Sequence, residues 1–556
     1  MSGFDETFDF VVAGSGGGSM CAAIVARTAG KTAVVLEKTS LIGGTTARSG
    51  GVMWIPDNPF MKAAGVPDSL EQAEVYLEAV VGESNDTPGA SRARRRAFLA
   101  EGPRMLDFLM RQGLKFSRIS NWPDYYDETP GSSLPGRTVV ADLFDANELG
   151  EAKAMLRPNF LTLPVSLEDA LKLPHVKRSW SAKKALLRMG LRALGAKLTG
   201  KNYVTAGAAL QGRMMQAALK AGADIRVESP VKELIVEEGR VVGVVTEKGG
   251  QPWRIGARLG VLVNAGGFAL NQQMRDAYMP GSSVSHTSVS EGDTGEMIQE
   301  MMRHGAAIAQ MDSFVGSPLS LPPGSEAAPV KPGVQGVTAA PHAIVVDQSG
   351  VRYLNEAGSY TEFCRRMNER NEEVPAIPSW AIFDNRVMKN VMIAGTMPGS
   401  KKPAEWTESG YLHTADSIEA LATSLKIDPA ALRDTVDRFN GFVAQGHDAD
   451  FQRGAREYDK WLGDPFHKPN PTLGELSEGP FHAIPVIPGD VGTLGGVVTD
   501  DKARVLREDG TPIAGLYATG VSAAGVMGRV SPGSGVNVGP AMVWGYVAAK
   551  HAITEA

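Results

Sequence analysis

Residues 9–13 read Asp-Phe-Val-Val-Ala, a nearly unbroken apolar run that predicts a parallel strand buried on both faces. Six small residues follow, Gly14-Ser15-Gly16-Gly17-Gly18-Ser19. A helix is then expected from Met20 to Ala29 and a second apolar strand from Thr32 to Leu36, closed by Glu37. Further along, the spacing predicts a helix from Val204 to about Ala221. Strands are expected over 223–227, 231–237 and 241–246, with Glu238-Gly239 as the last turn. Val261–Val263 and Gly515–Ala518 each read as a strand running into a glycine turn. Helical patterns lie near 294–303, 417–425 and 429–445, and a strand near 342–347. Ser317–Gly336, with five prolines, is expected to be a loop. Asn537–Ala552 reads as a closing helix with Pro540 in its first turn.

The first of these blocks has a chemistry. Strand, glycine turn, helix, strand and acid form a complete nucleotide-binding unit. Gly14 permits the tight turn, Gly16 lets backbone approach a pyrophosphate, and the helix N-terminus offers free N–H groups to negative charge. Glu37 lies 23 residues after Gly14, where a carboxylate can accept from ribose hydroxyls. Ser19 occupies the usual third glycine position and is still small enough for helix–strand packing. After Glu37 comes a second small-residue loop with Gly43-Gly44-Thr45-Thr46 and Ser49-Gly50-Gly51, which suits a dinucleotide whose second half runs on through the protein. With Ala265-Gly266 and Gly520 these segments resemble the three FAD contacts of the fumarate reductase and ketosteroid dehydrogenase flavoprotein superfamily. The resemblance implies non-covalent FAD and adds Gly17, Gly18, Lys38, Val231, Val536 and Val538 to its contacts. The implied fold is α/β: a discontinuous Rossmann-like FAD-binding domain, residues 1–275 and 486–556, with an inserted α+β substrate domain, residues 276–485.

The resemblance narrows on other segments: Trp122-Pro123-Asp124-Tyr125-Tyr126, Tyr353-Leu354-Asn355-Glu356 with Tyr360, Asp450-Phe451-Gln452-Arg453-Gly454, and Gly492-Thr493-Leu494-Gly495-Gly496. In order and spacing the chain is similar to the 3-ketosteroid Δ1-dehydrogenases over nearly its full length. That family desaturates ring A beside a ketone: a base takes a proton from C2, and a hydride leaves C1 for flavin N5. The resemblance places Tyr360 as base, Tyr125 as the tyrosine that hydrogen-bonds it and relays the proton, and the Gly535 amide as donor to the ketone. A tyrosine serves as base only if its pKa falls well below about 10 or its proton is relayed away. Ser531 stands where the family usually carries a tyrosine that also donates to the ketone. Losing such a donor typically costs about 100- to 1000-fold in rate. A weakened dehydrogenase, an engineered variant and a relative with a shifted substrate all fit that change. The alternatives are a Δ4-desaturating ketosteroid enzyme, a fumarate reductase-like enzyme and a flavin-bound steroid carrier without activity. The fumarate reductase pattern carries an arginine near this turn and a histidine before its Gly-Gly strand. Here those positions read Ser531 and Asp490-Val491-Gly492-Thr493, with Arg529 the nearby cation.

Composition adds limits. Of 556 residues, 43% are hydrophobic and the net charge is −6, too mild to point to nucleic acid. Two cysteines give no disulfide framework or cysteine metal site, and no metal is expected. The N-terminal stretch lacks an apolar signal segment, and no run of eighteen apolar residues occurs, so a cytoplasmic protein is expected. The implied partners are a small apolar steroid and a quinone-like electron acceptor.

Residues 170–204 hold nine Lys or Arg and no acid. Trp180, Leu187, Leu191, Leu194 and Leu198 fall on one helical stripe. Lys184, Arg188 and Arg192 step along one side of it, and Lys183 and Lys197 flank the other. A basic face beside a Leu/Trp stripe suits a helix lying on an anionic membrane, here through residues 170–201 on the inner face of the cytoplasmic membrane. The competing expectation is a surface helix that packs its leucines on the protein's own core. Gly190 and Gly195 weaken the helix.

Overall fold

A computed structural model describes residues 3–82 and 88–555. The strand Glu6–Ala13 lies at the centre of an eight-stranded sheet, parallel to Ala33–Leu36 on one side and to Gln251–Val263 on the other. Val11 sits opposite both Val34 and Val261. Pro512–Ala518 extends the parallel set, and Glu233–Glu237 and Arg240–Lys248 add an antiparallel meander. Phe10, Val11, Val12 and Ala13 are buried because helices or strands cover both faces.

Two of these helices meet at glycines. A Cβ on Gly18 of the first helix (Gly17–Thr28) would lie 2.4 Å from Ala541 O. A Cβ on Gly545 of the last helix (Val538–Thr554) would lie 2.1 Å from Gly18 O. The two backbones are thus in contact, a distance only glycine permits.

The middle of the chain forms a five-stranded sheet. Phe314–Leu319, Phe481–Thr493, Ser379–Asp384 and Ala343–Val346 lie in that order, with His413–Ala415 on the long strand. Alternate residues face two cores. Ala343 and Val345 pack with Phe363 and Met367 of the helix Tyr360–Glu373. Ile344 and Val346 pack with Ile418, Leu421, Val436 and Phe439 of the helices Ile418–Leu425 and Pro429–Gln445. A small sheet of Val52–Trp54, Thr138–Ala141 and Phe116–Arg118 completes the wall beside the cofactor cradle.

Three expectations shift. The first helix starts at Gly17, not Met20, because the glycines themselves form its first turn. The proline-rich stretch begins as strand through Leu319 and ends in the short helix Gln335–Thr338. Pro318 is tolerated because it faces Pro488 across the antiparallel pair, where neither residue has an N–H to lose. The first strand of the meander begins at Glu233, not 231, leaving Val231 on the wall of the cavity.

The basic segment folds as the helix Trp180–Thr199. Of its residues only Ala182 and Ala185 are buried, whereas Trp180 is 77% and Leu198 78% exposed. Leu187, Leu191 and Leu194 are exposed too. The leucines therefore do not pack on the protein's core. Arg188 and Arg192, expected on the outward basic face, are tied back to the chain instead. Arg188 pairs with Asp169 at 2.6 Å and Arg192 donates to Pro164 O at 2.8 Å. Asp169 lies one residue before the acid-free window, so the window alone did not show this tether.

Candidate active site

A cavity of about 860 Å³ runs along the carboxyl ends of the parallel strands, where ligands bind in open α/β sheets. At one end the buried Glu37 carboxylate accepts from Ser15 Oγ, Thr39 N and Thr39 Oγ1. Lys38 Nζ donates to Thr294 Oγ1 and pairs with Glu296 at 2.9 Å beside it. Val231 shares this end. Gly14, Gly16, Gly44, Thr45, Thr46, Ser49, Gly50, Gly51, Ala265, Gly266, Gly520 and Val538 line the rest of the cradle. The first and last helices both start at this wall, and neither has a side chain capping its N-terminus. In the first helix the Gly18 and Ser19 N–H groups meet no protein acceptor among the described residues, the arrangement that receives a pyrophosphate, whereas in the last helix Gly539 N donates to Gly535 O at 3.0 Å and Pro540 has no N–H, which leaves Val538 N.

Five of the expected cofactor residues lie behind the wall. Gly17 packs on Met542, Gly18 on Ala541, and Ser19 Oγ accepts from Asn264 Nδ2 at 2.9 Å. Gly43 N donates to Ser15 Oγ at 2.9 Å. Val536 borders a separate small cavity with Arg94 and Trp544. Sequence reasoning missed Ser15, Asn264, Arg157 and Ser534, all of which line the main cavity. Buried Arg157 pairs with Glu291 and donates to Thr39 Oγ1 at 3.0 Å, so it fixes the loop after Glu37. No local pattern marked it.

At the far end Tyr360, Gly535 and Ser534 face the same space. Gly535 has φ +97°, and a Cβ there would lie 2.4 Å from Val52 O, so the position requires glycine. Its carbonyl accepts from Trp54 N at 3.3 Å, while its amide donates to no protein acceptor among the described residues. The turn carrying it is held on two sides. Trp54 closes over Gly533, and Pro532 O accepts from Tyr125 N at 2.9 Å and from Tyr76 Oη at 2.6 Å.

The neighbour of Tyr125 in sequence anchors its loop. Asp124 is buried and accepts from Trp54 Nε1 at 2.7 Å, Arg137 Nη1 at 2.8 Å and Ser133 N at 3.0 Å. Burial pushes its carboxyl up to about 6, against the pull of Arg137. Arg137 is fully buried as well and also pairs with Asp68 at 2.7 Å. This network fixes the Tyr125 ring edge-on to Tyr360, centroids 5.5 Å apart.

Tyr360 is half-buried where it meets the cavity, and its hydroxyl's pKa is raised, by desolvation first, with Tyr125 acting in the opposite sense. Tyr125 is raised far more, by burial and then by any negative charge on Tyr360 or Tyr458. The Tyr125 hydroxyl has no well-formed hydrogen bond. Ser531 does not line the cavity; it is buried, with its Oγ 3.0 Å from Thr361 Oγ1.

The cations that line the cavity are already matched. Lys38 pairs with Glu296, Arg48 and Arg157 with Glu291, Lys232 with Glu247 and Arg303 with Glu300. Around Tyr360 and Gly535 the wall is neutral: Val315, Gly316, Pro318, Val330 and Val491.

Over residues 9–538 the chain matches the FAD binding domain family and belongs to it. Its cofactor is FAD, which the open N-terminus of the first helix, the acid at the strand end and the length of the cradle fit. Within that class it belongs with the 3-oxosteroid 1-dehydrogenases. It is 38% identical over 561 residues to the 3-oxosteroid 1-dehydrogenase of Mycolicibacterium smegmatis, across 98% of this chain and 97% of that protein. The crystal structure of 3-ketosteroid Δ1-dehydrogenase from Sterolibacterium denitrificans, in complex with 1,4-androstadiene-3,17-dione, superposes with a TM-score of 0.92. The two share 33% identity over 99% of this chain and 100% of that one. A 4-oxocyclohex-2-ene-1-carboxylate 5-dehydrogenase from Sinomonas cyclohexanicum is 34% identical over 98% of this chain and 93% of its own length. No helix among the described residues is long and apolar enough to cross a membrane.

Proposed function

We propose that this protein desaturates the 1,2-bond of neutral 3-ketosteroids. The observation that carries the reading is the neutral end of the FAD cavity, where Tyr360 and the free Gly535 amide face one space. FAD bound in the cradle supplies the hydride acceptor. Tyr360 takes the proton from C2, and the Gly535 N–H donates to the ketone oxygen as that oxygen gains negative charge. Tyr125 lies behind Tyr360 and shares the proton. Ser531 Oγ is engaged by Thr361, so Gly535 works without the second phenolic donor.

The matched charges bear on the alternatives. A dicarboxylate or a ring carboxylate needs a cation to meet it, and the lining cations named above are paired. Arg529 is held by Asp312 at 3.0 Å. A ketone on an apolar ring needs no such group. Anaerobic titration of the holoprotein with androst-4-ene-3,17-dione should bleach the flavin. A flavin reoxidised by fumarate but not bleached by steroid favours the reductase, and a spectral shift without bleaching favours a carrier.

A second reading concerns the setting. The outward Trp180 and leucines, beside Lys183, Lys184 and Lys197, support contact between the helix Trp180–Thr199 and an anionic membrane surface. Small residues face inward and large ones outward, the reverse of a helix packed on its own core. Replacing Leu187, Leu191 and Leu194 by Ser removes exposed side chains only, so folding should be kept. Binding to anionic phospholipid vesicles should fall by at least about tenfold, since each leucine is worth about 1.5–3 kcal/mol when buried. Unchanged sedimentation refutes the contact.

A further inference from the structure

The tyrosine pair at the neutral end of the cavity has a third member that the sequence did not single out. Tyr458 is fully buried, and its ring centroid lies 4.4 Å from that of Tyr125, closer than Tyr360 does. It sits on the short helix Glu457–Leu462, and three separate ties hold that helix against the Tyr125 loop. Asp127 accepts from Glu457 N and Tyr458 N. Trp122 stacks on Trp461 with centroids 4.6 Å apart. Arg456 pairs with Glu128 at 2.8 Å. From the other side Asn355 Nδ2 donates to Asp459 at 3.0 Å. So much anchoring leaves the Tyr458 ring one place to be, against Tyr125.

Tyr125 needs a partner. It is fully buried, yet its hydroxyl makes no well-formed hydrogen bond. A buried hydroxyl left unsatisfied is costly, and a structure that retains one generally uses it. We propose that Tyr458 is a positioning residue for the tyrosine base: its hydroxyl turns toward Tyr125 and, through it, stabilises the Tyr360 phenolate. No bond to carbon forms or breaks at Tyr458. Its O–H donates to the Tyr125 oxygen while the Tyr125 O–H donates to the Tyr360 oxygen, so the negative charge is spread over a chain of donors.

The groups around the chain fit this arrangement. Burial raises all three hydroxyls, and negative charge on Tyr360 raises Tyr458 further, while Tyr125 acts on Tyr458 in the opposite sense, which places Tyr458 within reach of both. Tyr126 and Asp459 also face Tyr458, and both act to keep it protonated. Tyr458 is thus a donor and not a competing base. Arg456 lies over the Tyr126 ring and is engaged by Glu128, and Asp127 is occupied by backbone amides.

The inference rests on Tyr360 as base, so its test has two readouts. In the holoprotein, ultraviolet difference titration follows tyrosinate formation, and the signal lost in Tyr360→Phe marks the base. Tyr458→Phe should move that signal up by about one pH unit, the loss of one donor to a charged group. Steroid-driven flavin reduction should slow about tenfold near neutral pH and recover toward the parent rate at high pH. Tyr411→Phe, which removes a buried phenol hydroxyl bonded to Ser320 and outside the tyrosine chain, should leave both profiles in place. A Tyr458→Phe titration that superimposes on the parent, or an equal shift in Tyr411→Phe, overturns the inference. If the parent flavin is not reduced by steroid while the Tyr360 signal still shifts, the substrate reading fails and the tyrosine chain stands.

Discussion

Gly535→Ala tests the proposed ketone site most directly. The residue has φ +97°, where an L side chain costs about 1–2 kcal/mol. The added methyl would also lie 2.4 Å from Val52 O, 2.6 Å from Val52 C and 2.7 Å from Met53 Cα. All three are backbone atoms of a strand pinned through Trp54, so none can swing aside as a flexible side chain could. Relief requires the turn to move, and the amide moves with it. A shift of about 1 Å at a reacting centre costs about 100-fold, and loss of a donor to a developing oxyanion costs about 100- to 1000-fold. The rate of flavin reduction by androst-4-ene-3,17-dione, measured by anaerobic stopped flow, should therefore fall at least about 100-fold. FAD content should stay near that of the parent, because the cradle from Gly14 to Gly51 is untouched. A variant that keeps its flavin and reduces it within about tenfold of the parent rate refutes the assignment of that amide.

Other outcomes follow from the same geometry. Because burial holds Tyr360 above the ordinary phenol value, flavin reduction by steroid should rise with pH and not have levelled off by about pH 10; a plateau near neutrality contradicts a tyrosine base. Ser531→Tyr breaks the bond to Thr361 and forces a large ring into a buried position, so the melting temperature should fall. If the new hydroxyl reaches the ketone, reduction should quicken by up to about 100-fold, and a flavin-loaded variant with no gain argues that the slot no longer faces substrate. His482 is buried on Phe383 and pushed down to about 4, so the folded state resists a proton that the unfolded chain accepts below about 6.5. Stability is therefore lost as pH falls from about 6.5 toward 4, and His482→Phe should flatten that part of the melting-temperature profile.

The nucleotide-binding elements were legible because their signals are local. A buried parallel strand is a continuous apolar run, and the glycines after it can serve few other ends. The tyrosines were legible only through likeness to a family, since a lone tyrosine in a core looks the same as a base. Residues whose roles depend on distant chain were not legible. Ser19 in the third glycine slot works because Asn264, far along the chain, donates to it. Arg157 fixes the loop after Glu37 from another element, and Tyr458 reaches Tyr125 only through the fold of the inserted sheet. The helix Trp180–Thr199 shows the limit of periodicity. The pattern gave a stripe of leucines and its angular position, but which face turns inward was settled by Asp169 and the Pro164 carbonyl, outside the pattern.

A base buried among neutral walls has a consequence for how the site works. With its pKa above about 10, Tyr360 is a phenolate in fewer than about one molecule in a thousand at pH 7. Strength offsets that scarcity only in part, because each added unit of pKa returns less in proton-transfer rate than it costs in phenolate, so the proton must be shared with the tyrosine behind it. At rest the pocket presents the neutral Tyr360 hydroxyl and an unengaged amide to an apolar ring, so an uncharged steroid enters without displacing an ion. Charge develops only as the C2 proton leaves, and it appears on the ketone oxygen opposite Gly535. A site with a standing charge would hold water and admit acids. On the proposed reading this one keeps its charge latent in Tyr360 and the tyrosines behind it, and the selectivity for neutral ketones and the alkaline pH dependence expected of it then have a single cause.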